Sequence, residues 1–360
     1  MEEGKNAILV KAEPLSRFCL QLFEKVGVPT KDAQVLMDNL IEADLRGVDT
    51  HGVTRIAIYI ERLQAGSVKA KPQMKVLHET PVSALLDGDH GLGQVISARA
   101  MEMAIQKAKA GVIGLVGVRN STHNGAMAHF AMMAVKQNLI GLALTNTVPL
   151  MAVTGGNQAM IGNNPLAIAA PAGSEKPVVF DMACSIAARG KIILAAKKGE
   201  KIPLGWAIDK DGLPTEDAKA ALEGLILPVG GHKGYGMALM VDVLSGVLTG
   251  ANFGPAVGPL YNNPGTQGIG HLMAAINIEA FLPLSEFKAR MDQMIRDIKN
   301  SKKAKGTMVI FLPGEIEMGI EEKRRKEGIP LSRPVYEELC ALGQKLGVQP
   351  DFASVMRFGG

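Results

Sequence analysis

Only three cysteines occur in 360 residues, Cys19, Cys184 and Cys340, and no two form a CxxC pair. They supply neither a disulfide framework nor a zinc signature, and their number fits a reducing compartment. Aromatic residues are scarce at 4%, which argues against the stacking platforms of single-stranded nucleic-acid binders. Neither sign of charge dominates: 39 basic and 35 acidic residues give a net +4. The two most basic tracts, KNSKKAK at 299–305 and EEKRRK at 321–326, read as solvated faces. No apolar run is long enough for a bilayer; MVDVLSGVLTG is short and carries Asp242. The start, MEEGKNAILVKAE, lacks the charged-then-apolar order of a secretory signal. The expectation is a cytoplasmic protein with no nucleic-acid or membrane partner.

Several catalytic signatures are also missing. No strict G-x-G-x-x-G opens a helix after a strand: GIGHLM at 268–273 has Met273 where the third small residue belongs. His123 and His129 are six apart with no accompanying carboxylate, unlike the H-E-x-x-H metal motif, and no metal site is expected. There is no G-x-S-x-G elbow and no G-x-x-x-x-G-K-[ST] loop. Metallohydrolase, serine hydrolase and P-loop readings are therefore poor.

A hydrophobic content of 47% is enough for a large core or for two to three domains. Residues 14–46 show helical spacing, broken at VGVPTKDA, where Thr30 or Asp32 is placed to cap the next helix. From SALLDGD onward, short apolar strands alternate with helices such as VISARAMEMAIQKAKA and AMAHFAMMAVKQN. This alternation predicts an α/β region whose strand ends deliver RNSTHNG, TNTVP and DMA to one rim. HKGYGMALMVDVLSGVLTG and FLPLSEFKARMDQMIRDIKN read as helices, TMVIFLPGE as a strand and turn, and RPVYEELCALGQKLGV as a last helix. The expected division is a mainly helical domain from 1–75 and 300–360, and an α/β cofactor-binding and catalytic region over 76–299.

In DTHGVTR, Asp49 or Thr50 can cap a helix running into RIAIYIERL, on which His51 and Arg55 share a face. His123 lies among Asn120, Ser121, Thr122 and Asn124, a polar loop setting in which a histidine can exchange a proton near neutral pH. His129, on the apolar helix that follows, reads as structural. GGHKGYG at 230–236 combines close-approach glycines with His232 and Lys233, and suits phosphate or carboxylate recognition. PGE at 313–315 can expose amides at a helix start. Gly111, Gly114 and Gly117 recur every third position and read as turn and close-packing glycines.

Taken together and in order, DTHGVTR, RNSTHNG, TNTVP, GNNPLAIAAP, DMACS, HKGYG, GHLM and LPGEIE resemble the malate/L-lactate dehydrogenase family, distinct from the Rossmann-type dehydrogenases. That family also holds ureidoglycolate, sulfolactate and cyclic imino-acid oxidoreductases. The resemblance runs from the N-terminal helices to GIPL at 328–331. It implies a non-Rossmann α/β fold with a helical layer formed by the N- and C-terminal segments, a homodimer, and NAD or NADP as cofactor. By the same resemblance His123 is the acid/base residue, and His51, the second catalytic candidate, lines the substrate pocket. Arg55 clamps the substrate carboxylate, and Thr50, Thr147 and His271 line the pocket. Asp181, Met182, Ala183, His232, Lys233, Pro313, Gly314 and Glu315 fall in cofactor-contacting segments. Many relatives carry serine where this chain has Thr50, a difference of one methyl.

The implied reaction is hydride transfer between NAD(P) and a small 2-hydroxy or 2-oxo acid, foremost malate/oxaloacetate or lactate/pyruvate. Sulfolactate and ureidoglycolate are alternatives, as is reduction of a cyclic imino acid such as piperideine- or pyrroline-2-carboxylate. A catalytically silent structural dimer is the alternative of a different class.

Overall fold

The computed structural model describes residues 7–262 and 264–352, with the backbone of 357–358. At its centre is a seven-stranded sheet built from Lys75–Glu79, Ser83–Asp87, Ile113–Ser121, Ile269–Asn277, Leu139–Thr145, Leu166–Ala170 and Val178–Met182, in that spatial order. Only Ser83–Asp87 and Ile113–Ser121 run parallel; every other neighbouring pair is antiparallel. The parallel pair is joined by the crossover helix Gly93–Ala110, as such a connection requires. Ile113–Ser121 and Leu139–Thr145 alternate buried and half-buried residues, with one face toward the helices Gly93–Ala110 and Met127–Val135.

Close approach of helix to sheet depends on missing side chains. A Cβ on Gly114 would lie 1.9 Å from the Ala104 carbonyl oxygen, and one on Gly141 would lie 2.2 Å from that of Ala131. Gly114 is thus a packing glycine, as the every-third spacing suggested.

The expected convergence of RNSTHNG, TNTVP and DMA occurs, through antiparallel pairing rather than a parallel array. Ile269 pairs with Ser121, His271 with Thr145, and Leu166 with Met182. The carboxyl ends of three strands and the amino ends of Ile269–Asn277 and Leu166–Ala170 therefore share one rim. Ile269–Asn277, the central strand, is missed when GIGHLM is read only for its glycines. Seven consecutive residues of it are buried, so it shows no alternation.

Three hydrophobic cores are present among the described residues. One joins Ala12–Lys25, Thr30–Leu45 and Ile56–Gln64 to residues near Ile329, Leu339 and Phe352. Ile8–Val10 pairs with Ile329–Leu331 and with Arg357–Phe358, binding the two ends of the chain in one small sheet. The second core lies between the central sheet and its two helices. The third gathers Met151, Ile161, Cys184, Ile192, Ile226 and Ala238 about a five-stranded sheet of short strands. TMVIFLPGE forms no strand: it joins the central sheet's edge through the Pro313 carbonyl, which accepts from the Val179 amide at 3.0 Å. Thr30 likewise does not cap by its side chain, because its hydroxyl is turned to Glu24. No described helix is long and apolar enough to cross a membrane.

Gly114→Ala is expected to lower unfolding free energy by about 1–3 kcal/mol, the usual cost of overpacking. Gly319→Ala, where a Cβ meets nothing within 4 Å on the helix Glu315–Glu327, should instead stabilise by about 0.5–1 kcal/mol. Urea unfolding of the two variants checks the contrast.

Candidate active site

The turn carrying His51 and Arg55 is not capped as the sequence suggests. Two short 3-10 turns, Asp49–His51 and Val53–Arg55, precede the helix Ile56–Gln64, and no side-chain cap bond forms at their starts. The Thr50 hydroxyl pairs with His51 Nδ1 at 2.9 Å. The Asp49 carboxylate receives both terminal nitrogens of Arg324, which also donates to the Asp44 carbonyl. Arg324 belongs to the tract EEKRRK, so this member of it is not solvated: its side chain is only 12% exposed. The orphan amide is Val53, and it donates at 2.9 Å to Asp44.

Asp44 explains Gly52. A Cβ at Gly52 would lie 1.8 Å from Asp44 Oδ1, so only glycine lets the turn fold over the carboxyl. Burial pushes the Asp44 carboxyl up to about 8, with Asp49 adding to the rise; the Val53 amide and Arg324 oppose it. A buried carboxyl kept neutral at pH 7 costs less than a buried charge.

The His51 and His123 rings stack with centroids 5.6 Å apart and planes 23° from parallel. His123 Nδ1 pairs with the Tyr59 hydroxyl at 2.6 Å, and Gln94 Nε2 donates to that hydroxyl at 2.9 Å. The tyrosine oxygen has two lone pairs and can accept from both Gln94 and a protonated His123 Nδ1, the tautomer that leaves Nε2 of the neutral ring with a free lone pair to take a proton. The His123 amide donates to Gln267 Oε1 at 3.1 Å. Burial holds His123 well below the usual histidine value, reinforced by Arg55, His51 and His271. Burial and Arg55 bring His51 down to about 4. Both rings are neutral at pH 7, so the fixed positive charge beside them is Arg55. Its Nε donates to the Thr50 carbonyl at 2.7 Å and its Nη1 to the Tyr261 hydroxyl at 2.5 Å.

His271 lies elsewhere than expected. It has no solvent exposure, and its nitrogens pair with Thr145 and Ser121, each at 2.7 Å. It ties the ends of two rim strands together, and burial brings it down to about 3. Thr147 is half-buried; its amide donates to Asn164 Oδ1 and its hydroxyl to Asn163 Oδ1, both at 2.9 Å. Asn164 in turn donates to the Ala238 carbonyl at 2.8 Å, fastening TNTVP to the helix His232–Asp242. His129 pairs with Glu42 at 2.9 Å and is structural.

The other predicted segments gather around Val178–Met182. The Val229 amide donates to the Cys184 carbonyl at 2.9 Å, setting GGHKGYG against DMACS. The glycine of PGE is pressed on the same strand: a Cβ at Gly314 would lie 2.8 Å from Val179 Cβ. Asp181 accepts from the Ala128 amide at 2.8 Å, at the start of the helix after the His123 loop. Asp181 is exposed, and desolvation brings it up to about 6, opposed by the Ala128 amide. Met182 and Ala183 follow it, both half-buried. Glu315 is engaged internally with Lys299 and the Leu312 amide. His232 and Lys233 are exposed at a helix start preceded by Gly230 and Gly231, both at positive φ, and no atom would meet a Cβ on Gly231 within 4 Å. An open helix N-terminus with an adjacent lysine fits a phosphate-bearing group.

Asp44→Asn should keep the acceptor for Val53 and leave stability nearly unchanged, whereas Asp44→Ala should cost about 1–3 kcal/mol and speed amide exchange across 48–55. Urea unfolding with residue-resolved hydrogen exchange checks both; equal behaviour of the two variants would contradict the role given to Asp44.

Residues 10–340 match the malate/L-lactate dehydrogenase family. The chain is 42% identical to a malate dehydrogenase of Pyrococcus abyssi, over 96% of this chain and 97% of that one. It is 41% identical to the L-sulfolactate dehydrogenase of Methanocaldococcus jannaschii, over 95% and 98% respectively. A solved structure of sulfolactate dehydrogenase from that organism superposes with a TM-score of 0.91, covering 95% of this chain and 98% of the other. The chain belongs to the malate/L-lactate dehydrogenase family and is an NAD(P)-dependent oxidoreductase acting on a small 2-hydroxy or 2-oxo acid.

Proposed function

We propose that the substrate pair is malate and oxaloacetate, with His123 as the acid/base residue and Arg55 as the carboxylate clamp. The observation that carries this reading is the neutral His123, stacked on His51 with Arg55 as the fixed charge nearby. Arg55 offers its fixed charge to one carboxylate of such a dicarboxylate. The Pyrococcus malate dehydrogenase, matched along nearly its whole length, supports the choice. The sulfolactate relative, at 41% identity over a similar span, supports sulfolactate as the second reading, since a sulfonate presents the same kind of charge.

The nicotinamide, when bound, supplies or accepts the hydride; the protein aligns, desolvates and moves the proton. The open helix start at His232 and Lys233, the half-buried Met182 and Ala183, and the Pro313–Glu315 turn are the residues that would hold the dinucleotide, with Asp181 preceding Met182 in sequence and bonded to the Ala128 amide after the His123 loop. In oxidation, neutral His123 takes the hydroxyl proton while Tyr59 keeps Nδ1 engaged. In reduction, His123 must first be protonated. A substrate carboxylate on Arg55 offsets the charge that ranks next to burial in depressing His123, so substrate binding itself raises the readiness of His123 to hold a proton. His51 and Thr50 form one side of the pocket.

A homodimer belongs to the same proposal. Met237, Leu239, Met240, Val243, Val247 and Leu248 leave an apolar band exposed on the helix His232–Asp242 and the turn after it, the kind of surface an obligate partner covers.

Three outcomes test the proposal. NADH and NADPH offered separately with oxaloacetate, pyruvate, sulfopyruvate and a cyclic imino acid should give fastest turnover on oxaloacetate, with malate as product; sulfolactate or a cyclic amino acid as the dominant product would overturn the substrate. His123→Gln should cut kcat by about 10²–10⁴-fold, the usual contribution of an acid/base group, while dinucleotide affinity stays near wild type. The acid limb of kcat/KM for malate oxidation, which reports free enzyme, should lie below pH 6.5, because a depressed His123 remains a base there. The corresponding limb in kcat should sit higher, Arg55 being neutralised in the complex.

A further inference from the structure

The loop between Gly258 and Gln267 touches three parts of the site at once. Its base is closed by the Gly258 amide donating to the Gln267 carbonyl at 2.9 Å. Gln267 Oε1 accepts from the His123 amide at 3.1 Å. Arg62, buried two turns along the helix from Arg55, donates to the carbonyls of Leu260 at 3.2 Å and Gly265 at 2.8 Å. With both shoulders held, the loop presents Tyr261 to Arg55: the hydroxyl is 2.5 Å from Nη1, and the guanidinium carbon stands 5.8 Å from the ring centre. Tyr261 is 49% exposed.

The direction of that hydrogen bond is fixed by chemistry. A guanidinium only donates, so the Tyr261 oxygen accepts and its O–H proton is left for another acceptor. Arg55 carries five N–H donors; Nε is directed to Thr50 and one on Nη1 to Tyr261, so the others are directed to neither. A hydroxyl donor beside a guanidinium with N–H groups to spare is an arrangement for an anionic group with several lone pairs. We infer that Tyr261 is a substrate-binding residue, its hydroxyl donating to the substrate carboxylate beside Arg55, on a loop locked to the catalytic histidine through Gln267.

This inference rests on the reading of Arg55 as the carboxylate clamp, and the experiment separates the two. The probe is oxalate, an unreactive dicarboxylate, titrated calorimetrically into the full-length enzyme with and without NADH, alongside steady-state kinetics. Tyr261→Phe keeps the ring and removes only the hydroxyl. It should weaken oxalate binding and raise KM for the 2-oxo acid by about tenfold or more, the worth of a hydrogen bond to a charged group, while kcat and NADH affinity hold. Tyr261→Leu, which also removes the ring beneath the guanidinium, should weaken oxalate further. Oxalate binding in Tyr261→Phe equal to wild type would overturn the role, as would a parallel loss of NADH affinity, which would mark a general disturbance. If Arg55→Ala leaves oxalate binding unchanged, the clamp reading itself falls, and the tyrosine's role with it.

Discussion

The site depends on one tie, His271 held between Ser121 and Thr145. A histidine with no solvent exposure and both nitrogens engaged cannot be displaced without leaving buried polar atoms unpaired, which is costly. Through it the central strand Ile269–Asn277 fixes the ends of its two neighbours, and each of those ends runs into a functional loop: Ser121 into His123, Thr145 into Thr147. A mostly antiparallel sheet thereby brings several segments to one rim, an arrangement more often associated with parallel α/β sheets.

On that rim the controlling effect is desolvation. His51, His123 and His271 are all depressed by burial, while Asp44 and Asp181 are raised by it. Acids and bases alike are pushed toward their neutral forms, and Arg55, tethered at Thr50 and Tyr261, supplies the fixed charge. On the proposed reading, an anionic substrate meets Arg55, and neutralising that charge makes His123 easier to protonate. Binding and proton readiness would then be linked by one guanidinium.

Much of this was legible in the sequence because its signals are local. DTHGVTR, RNSTHNG and HKGYG announce themselves by composition, and the strands that precede RNSTHNG and TNTVP alternate as half-buried strands do. What was illegible is long-range. Asp44 supports a turn nine residues on, Tyr59 reaches a histidine 64 residues away, Tyr261 meets an arginine 206 positions back, and Arg324 grips Asp49 across 275. No spacing rule couples residues so separated. The capping expectation for Asp49 failed for the same reason, since distant Arg324 claims its carboxylate, while Thr50 is turned to its neighbour His51. The central strand was hidden because burial on both faces erases the alternation by which strands are read.

The central proposal is that hydride passes directly between the nicotinamide and the carbon bearing the substrate oxygen, with His123 handling only the proton. Reduction of oxaloacetate with NADH deuterated at the transferable position, followed by proton NMR of the product, tests it most directly. The account predicts deuterium on the hydroxyl-bearing carbon of malate, in the wild type and in the slow residual turnover of His123→Gln alike. Product carrying solvent hydrogen at that carbon would contradict it.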